Sequence, residues 1–212
     1  MLDRLLEAAA PLLKPLFTLW GSAVTGAEVA AFALAILMVL ANMRVHPVAW
    51  PLAIVSSALY ALLFAHYRLW GEAGLQLVFI VVALWGWQQW LRKGPLSASP
   101  LLVSRLTAAQ RRWALGLTLA AWPVLAWLLS AHTNSDVPWL DALPTVASLT
   151  GQVLLAQKRI ENWPTWVAVN VVSVGLFAVK GLWLTVILYS LFTLLALQGW
   201  RAWQGLEGRA HA

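Results

Sequence analysis

The chain contains an internal repeat that restricts what it can fold into. Residues 50–90 align without a gap to residues 163–203 at a constant offset of 113, and 14 of the 41 aligned positions are identical. A shared apolar composition explains matched Leu and Ala, but it does not explain a matched Trp-Pro dipeptide and several matched tryptophans. The tryptophan pairs are Trp50/Trp163, Trp70/Trp183, Trp87/Trp200 and Trp90/Trp203. We therefore expect two copies of one structural unit.

The apolar character of the chain places this repeat in a membrane. Of the 212 residues, 61% are hydrophobic and 10% are charged, whereas a soluble domain carries about 25% charged residues. A membrane-spanning helix needs about 20 predominantly apolar residues. The sequence predicts an all-α integral membrane protein with seven transmembrane helices, at about residues 26–43, 48–66, 70–91, 112–131, 139–157, 163–179 and 182–203.

The order of these helices determines how the two copies are oriented. Helix two corresponds to helix six and helix three to helix seven, so the step is an even number of membrane crossings and both copies point the same way. We predict a 3+1+3 parallel repeat: three helices at 26–91, a loop and connector helix at 92–131, and three helices at 139–203, before a cytoplasmic tail at 204–212. Transporters built from such repeats bind substrate near the middle of the membrane, at the repeat interface.

The basic residues indicate orientation and not a nucleic-acid partner. The net charge is +6, and five basic residues fall between positions 92 and 112, while the segment "SAHTNSDVP" after helix four has none. Since cytoplasmic loops of membrane proteins are rich in Lys and Arg, we place the 92–112 loop and the C-terminus in the cytoplasm and the N-terminus outside. The chain has no cysteine, which excludes disulfides and thiolate metal sites.

Residues 1–22 are interpreted as an amphipathic helix at the membrane surface. Charges of both signs stand among the leucines, and prolines occur at positions 11 and 15, which argues against a signal peptide. A segment of this kind lies in the interface and does not cross it. A cleaved segment and an eighth span are the alternatives.

Helical spacing selects polar side chains that can face the interface between the copies. One face of helix six carries Trp163, Trp166, Asn170, Ser173 and Phe177. Amides and hydroxyls can bind sugar hydroxyls or a carboxamide, and aromatic faces can stack on a flat heterocycle or attract a cationic one. No carboxylate is predicted near mid-membrane, so the set suits a neutral or delocalised-cation, nucleoside-like molecule. The corresponding residues elsewhere are Ser57, Tyr60, Gln76, Thr145, Ser148, Gln152 and Tyr189.

These residues also have structural interpretations. Serines and threonines of membrane helices often hydrogen-bond their own backbone, and buried amides such as Asn170 and Gln152 can join two helices. Tryptophans near helix ends are typical of the aromatic belts at membrane surfaces. The hydroxyl residues concerned are Ser57, Thr145, Ser148 and Ser173. The tryptophans concerned are Trp50, Trp70, Trp90, Trp163, Trp183 and Trp203.

Enzyme motifs are missing from the sequence. It contains no G-x-x-x-x-G-K-[ST] phosphate loop, no H-E-x-x-H and no G-x-S-x-G. The four histidines lie at predicted helix ends or in loops, without the spacing of metal ligands. We therefore expect neither enzyme activity nor a metal or other cofactor.

Several segments resemble the PnuC family of bacterial vitamin transporters. They are "WGWQQW", "LDALPTVASLTGQVLLAQK", "KRIENWPTWVAVN", "VKGLWLTVILYSLF" and "GWRAW", and the resemblance covers about residues 26–204. It implies a SWEET-like three-plus-one-plus-three fold and a homotrimer in the bacterial inner membrane. It also implies facilitated diffusion of nicotinamide riboside, which a cytoplasmic vitamin kinase then traps by phosphorylation.

The resemblance also assigns roles to residues that match the family motif. Trp166 is expected to stack on the heterocycle, and Asn170 and Gln152 to hydrogen-bond the ribose hydroxyls or the amide. Trp163 and Tyr189 are further expected ligand contacts, and Trp183 completes the set. Gating or capping of helix six is expected of Glu161 and Asn162.

The identity of the vitamin stays open at this point. Nicotinamide riboside and thiamine are both flat aromatic cations with hydroxyls, and an aromatic box accepts either. Similar proteins carry thiamine or riboflavin. The alternative of another class is a membrane scaffold or a binding subunit that transports nothing by itself.

Overall fold

The protein is mainly helical, as the sequence predicts. A computed structural model describes residues 11–19, 22–66, 70–91, 102–132, 137–179 and 183–210. All seven predicted helices are found in this part of the chain. They are α1 (Gly26–Met43), α2 (Ala49–His66), α3 (Trp70–Leu91), α4 (Ala108–His132), α5 (Pro138–Ala156), α6 (Asn162–Val179) and α7 (Trp183–Ala210).

Among the described residues, four helices are long and apolar enough to cross a membrane. These segments are Gly26–Met43, Ala49–His66, Ala73–Leu91 and Ala108–His132. Each offers at least 18 residues, close to the length that the hydrocarbon core requires. The structure therefore supports a multi-pass membrane protein, while the full seven-span arrangement stays a prediction.

The prediction of a helix that continues to residue 22 is wrong. Residues 11–13 are helical, but β1 (Pro15–Leu19) and β2 (Ser22–Thr25) pair as an antiparallel hairpin. Pro15 lacks the N–H that a helix interior requires, and the β-branched residues that follow it favour extended backbone. The first ten residues of the predicted helix lie outside the described part of the chain.

A capping box fixes the start of α1 directly after the hairpin. The Glu28 backbone N–H donates to the Thr25 hydroxyl at 3.2 Å, and the Thr25 backbone N–H donates to the Glu28 carboxylate at 2.8 Å. Two N–H groups that the first helical turn leaves unpaired are satisfied in this way. The hairpin is therefore joined to the first apolar helix without an intervening loop.

The chain divides into two compact units, Met1–Leu91 and Arg92–Ala212. In the first unit α1 packs on α2 and α2 on α3. In the second unit α4 packs on α5, α5 on α6 and α6 on α7. The division falls where the predicted polar loop begins, so each unit contains one of the two predicted three-helix repeats.

The turn between α1 and α2 shares most of its backbone hydrogen bonds with the turn between α5 and α6. Val45 N–H donates to Asn42 C=O at 3.0 Å, and His46 N–H donates to Ala41 C=O at 2.9 Å. Val45 has a positive φ of 54°, and the residue 113 positions later, Lys158, has a φ of 52°. The repeat therefore extends to these turns. The equivalent bonds join Lys158 N–H to Leu155 C=O and Arg159 N–H to Leu154 C=O, each at 2.9 Å.

In each unit, two tryptophans and a glycine lock the second helix of the repeat to the third. Trp50 is 1% exposed, and its ring lies where a side chain on Gly86 would project. It meets Trp90 edge-on, with 5.4 Å between ring centroids. The interpretation as an aromatic belt is wrong for these tryptophans, because they are buried within the units. The equivalents are Trp163, Gly199 and Trp203, with 5.6 Å between the two ring centroids.

Candidate substrate-binding site

Trp166 of α6 lies directly against α5. A Cβ atom at Gly151 would be only 3.1 Å from Trp166 Cε2 and 3.3 Å from its Nε1. A side chain at position 151 would require the Trp166 ring to shift by a few tenths of an ångström. The predicted stacking residue therefore packs on α5 at Gly151, one position before Gln152 in the sequence.

Two amide side chains are buried on the same pair of packed helices. Gln152 of α5 is 8% exposed and Asn170 of α6 is 6% exposed. Neither makes a hydrogen bond to another described residue. Their polar atoms are not among the fully enclosed atoms that lack a hydrogen-bond partner, so both amides remain open to a ligand or to water, without which full burial would cost about 1–3 kcal/mol.

The hydroxyl groups of α5 divide between the two interpretations that the sequence allowed. The Thr145 hydroxyl donates to Asp141 C=O at 2.9 Å, which is the structural role. Ser148 is half-buried one turn before Gln152, and it makes no hydrogen bond within the part of the chain that the structure describes. Ser148 therefore remains a candidate ligand contact, whereas the Thr145 hydroxyl is bound to the backbone of its own helix.

Tyr189 of α7 belongs to an aromatic cluster on the α6–α7 pair. Its ring centroid lies 5.1 Å from that of Phe177 and 6.3 Å from that of Phe192. Phe177 stands on the predicted site face of α6, two turns beyond Asn170. Aromatic surface thus continues along this face past the amides.

Trp163 occupies a different place from Trp166. It is 3% exposed, packs on Gly199 and Trp203, and its indole N–H has no hydrogen-bond partner among the described residues. This packing gives Trp163 a structural role between α6 and α7, and its ligand contact stays a prediction. The side chain of Trp183 lies outside the described part of the chain.

In the first unit, Ser57, Tyr60 and Gln76 are half-buried. Tyr60 and Phe64 are stacked, with 5.9 Å between ring centroids and an interplanar angle of 20°. Both are on α2, at helical spacing along the predicted face. These residues supply hydroxyls, an amide and aromatic surface in the first unit, and nothing in the structure tests their contact with a ligand.

Sequence reasoning missed the buried polar residue of α2 that hydrogen-bonds to α1. Ser56 is buried, and its hydroxyl donates to Ala31 C=O of α1 at 3.0 Å. The predicted face passed through the neighbouring Ser57, about 100° further around the helix. The small residues at positions 27 and 31 of α1 were the available signal, because helices approach closely where side chains are small.

Glu161 and Asn162 hold the start of α6 in a way that the sequence does not predict. The Glu161 carboxylate accepts from Leu106 N–H, at 3.1 Å from each oxygen, and from Arg111 Nε at 2.9 Å. The Asn162 amide donates to Arg159 C=O at 2.6 Å within the turn. Glu161 thus connects α6 to the segment before α4, and a gating role stays a prediction.

A groove between α4 and α5 is separate from this site. Its volume is about 480 Å³, and apolar residues of both helices form most of its wall. Thr118 and Thr150 line it and hydrogen-bond to each other at 2.7 Å. None of the predicted site residues lines the groove, and its mainly apolar wall offers few hydrogen-bond partners to a polar solute.

Charge is confined to the turn of this region. Between Ser148 and Asn170 the charged residues are Lys158, Arg159 and Glu161, all in the turn that joins α5 to α6. Partial burial of this turn lowers the pKa of Lys158. Among the described residues no cluster of three metal-ligating side chains is found.

Apolar helices, repeated halves and a buried set of amides and aromatic rings define a membrane transporter for a small solute.

Comparisons with known proteins identify the family. The chain belongs to the nicotinamide mononucleotide transporter family, whose model matches residues 25–205. The nicotinamide riboside transporter PnuC of Escherichia coli K12 is 26% identical over 174 residues, which are 71% of this chain and 73% of the relative. The riboflavin/roseoflavin transporter RibM of Streptomyces davaonensis is 31% identical over 157 residues, 73% of each chain.

The fold has a counterpart among solved structures. A crystal structure of the vitamin B3 transporter PnuC matches with a TM-score of 0.69 and 25% identity, over 86% of this chain and 82% of that one. The predicted resemblance to the PnuC family is thereby confirmed. The named relatives are transporters and not enzymes, in agreement with the sequence-based expectation.

Proposed function

We propose that this protein carries nicotinamide riboside across the bacterial inner membrane. The observation that supports this most directly is the pair of buried amides, Gln152 and Asn170, on the two helices that the Trp166–Gly151 contact joins. Nicotinamide riboside offers a flat pyridinium ring, a carboxamide and ribose hydroxyls, which match an indole face and two amides. The Escherichia coli relative carries the name of this same substrate.

The candidate residues divide the recognition of this molecule between them. Trp166 stacks on the pyridinium, and a desolvated cation over an indole face gains up to about 2 kcal/mol. Asn170 and Gln152 bind the hydroxyls or the carboxamide, with Ser148 one turn away on α5. Tyr189 and Phe177 continue the aromatic wall. None of these residues is basic, so a phosphate group would be buried without a counter-charge, which favours the nucleoside over its phosphorylated form.

Transport in this proposal is facilitated diffusion. None of the residues expected to contact the substrate is a carboxylate that could bind a coupling proton or sodium ion, and the sequence has no phosphate loop for ATP. Net uptake then depends on a cytoplasmic kinase that phosphorylates the vitamin and prevents its return. The seven helices form the 3+1+3 parallel repeat, with the N-terminus outside because basic residues concentrate between helices three and four. The homotrimer is proposed from the family resemblance.

A second candidate substrate follows from one of the relatives. RibM, which is 31% identical to this chain, is named for riboflavin and roseoflavin, and an isoalloxazine ring also stacks on indole. Thiamine, a flat cation with a hydroxyl, is the other vitamin that an aromatic and amide site accepts. The alternative of another class is a binding subunit that produces no flux alone.

Uptake into liposomes tests the proposal. Purified protein is reconstituted with and without an internal nicotinamide riboside kinase and ATP, and entry of labelled nicotinamide riboside is followed. We expect equilibration without the kinase, accumulation with it, and no effect of proton or sodium ionophores. Accumulation that needs an ion gradient would contradict facilitated diffusion. Binding without flux would favour the binding subunit, and stronger competition by riboflavin or thiamine would reassign the substrate.

A further inference from the structure

We propose that Glu161 is a positioning residue for the substrate site, and that it acts by closing a clasp between the segment before α4 and the turn before α6. The clasp consists of residues 104–111 on one side and 158–161 on the other. The inference rests on the proposed function, because α6 carries Trp166 and Asn170. It assigns Glu161 no contact with the substrate.

The backbone forms the first part of the clasp. Ser104 and Arg159 are paired in a parallel bridge: Ser104 N–H donates to Lys158 C=O at 3.1 Å, and Ile160 N–H donates to Ser104 C=O at 3.0 Å. The Arg159 guanidinium Nη1 also donates to the Ser104 hydroxyl at 2.9 Å. The chain before α4 is therefore joined to the turn before α6 by a short ladder.

Glu161 closes the second part of the clasp. Its two carboxylate oxygens share the N–H of Leu106, and Arg111 in the first turn of α4 donates to one of them. The Glu161 side chain is only 18% exposed, and charge-assisted bonds of this kind are stronger than neutral ones. Leu106, which is buried, anchors the same segment. The exposed Arg105 adds a peripheral bond to Glu207 of α7 at 2.6 Å.

The first unit shows that the turn itself does not need these charges. Its α1–α2 turn shares most of these backbone hydrogen bonds, yet the positions equivalent to Arg159 and Glu161 are His46 and Val48. There the Val48 N–H donates to His46 Nδ1 at 3.2 Å, a local contact. Since the same turn forms without these two charged residues, Arg159 and Glu161 serve the attachment of residues 104–111.

The attachment of residues 104–111 can affect the candidate site, because α6 runs without a break from the end of the clasp to Asn170. Trp166 follows Glu161 by little more than one helical turn, and Asn170 follows one turn later. Trp166 also meets Gly151 closely enough that a small shift of α6 would open or block this contact. A released clasp would let the first turns of α6 move, and the position of Trp166 against α5 would become less well defined.

Backbone hydrogen exchange and the affinity for nicotinamide riboside together test the positioning role of Glu161. We expect Glu161→Ala to speed backbone exchange in residues 104–111 at least about tenfold and to weaken nicotinamide riboside binding by about tenfold. Glu161→Gln keeps an acceptor for Leu106 N–H and should fall between Glu161→Ala and wild type. Arg112→Ala removes a neighbouring exposed charge of α4 and should change neither quantity. Unchanged exchange in Glu161→Ala, or faster exchange with normal affinity, would overturn the proposal.

A disulfide staple separates positioning from direct contact. The chain has no cysteine, so Ser104→Cys and Arg159→Cys, added to the Glu161→Ala protein, can form only one disulfide. Residues 104 and 159 are paired through their backbones, and two residues paired in this way lie within reach of a disulfide. Oxidation should restore the affinity for nicotinamide riboside to within about threefold of wild type, because the disulfide replaces the connection that Glu161 makes between the two segments. Complete loss of maleimide-reactive thiols without recovered binding would contradict the inference. If wild type binds no vitamin, the proposed function fails and the positioning role with it, while exchange still reports whether Glu161 closes the clasp.

Discussion

The ring of Trp163 covers Gly199 so closely that it fills the space a methyl group at position 199 would need. Trp203 meets the same ring edge-on, so the indole is held between two residues of α7. The identical relationship joins Trp50 to Gly86 in the first unit. A sequence repeat of modest identity thus corresponds to one repeated packing contact.

Gly199→Ala should destabilise the protein by about 1–3 kcal/mol, because an added methyl group in a filled core forces side chains or backbone to shift. Gly205→Ala on the same helix is the matched control, since nothing lies within 4 Å of a Cβ at that position. Replacing an exposed helical glycine should be neutral or stabilise by up to about 1 kcal/mol. Thermal unfolding in detergent measures both, and equal midpoints would count against the lock.

Asn170→Ala should weaken nicotinamide riboside binding by about tenfold or more, because a bound polar group would lose its partner in a buried site. Ser57→Ala, at the equivalent position of the first unit, should change affinity less than about threefold. Calorimetric titration of both variants makes the comparison. Equal losses would argue against a site whose polar groups are concentrated in the second unit.

Trp163 and Trp166 should separate stability from binding. Trp163→Ala removes a fully packed indole and should cost about 3–5 kcal/mol of stability. Trp166→Ala, which removes a half-buried ring, should lower the unfolding midpoint less and the vitamin affinity more. The same preparations serve for unfolding and titration. A Trp163→Ala protein that is stable but does not bind the vitamin would indicate that Trp163 contacts the ligand.

Val45→Gly should stabilise the α1–α2 turn by about 1 kcal/mol, because a β-branched residue at positive φ is strained and glycine is not. Val45 has a φ of 54°. Its neighbour Arg44 has a φ of −90°, so Arg44→Gly offers the control and should lower stability. If both variants unfold at lower temperature than wild type, strain at position 45 is not significant.

Helix positions were predictable because apolar runs bounded by polar loops are a local signal. The limits of α1 and α3 agree with the prediction, whereas α7 continues to Ala210, beyond the predicted end at 203. The hairpin of residues 15–25 was missed, because two short strands carry little periodicity and the leucines before them favoured a helix.

The sequence could predict which face of α6 carries the candidate residues, but it could not predict which residues of other helices pack against that face. Spacing placed Trp163, Trp166 and Asn170 on one side of α6, but it could not show that Gly199 of α7 would receive the first of them. Residues so far apart in sequence meet only through packing. The contact of Glu161 with Leu106 spans 55 residues, and no local pattern announces it.

The paired tryptophan and glycine locks let the two halves evolve unequally. Each half keeps its own helices together, so side chains turned toward the solute can change in one half without unfolding the other. Ser148 and Gln152 correspond to Ala35 and Val39 at the offset of 113. Exchanges at such positions of the C-terminal half would therefore change the polar groups of the candidate site while the packing within the first unit is kept.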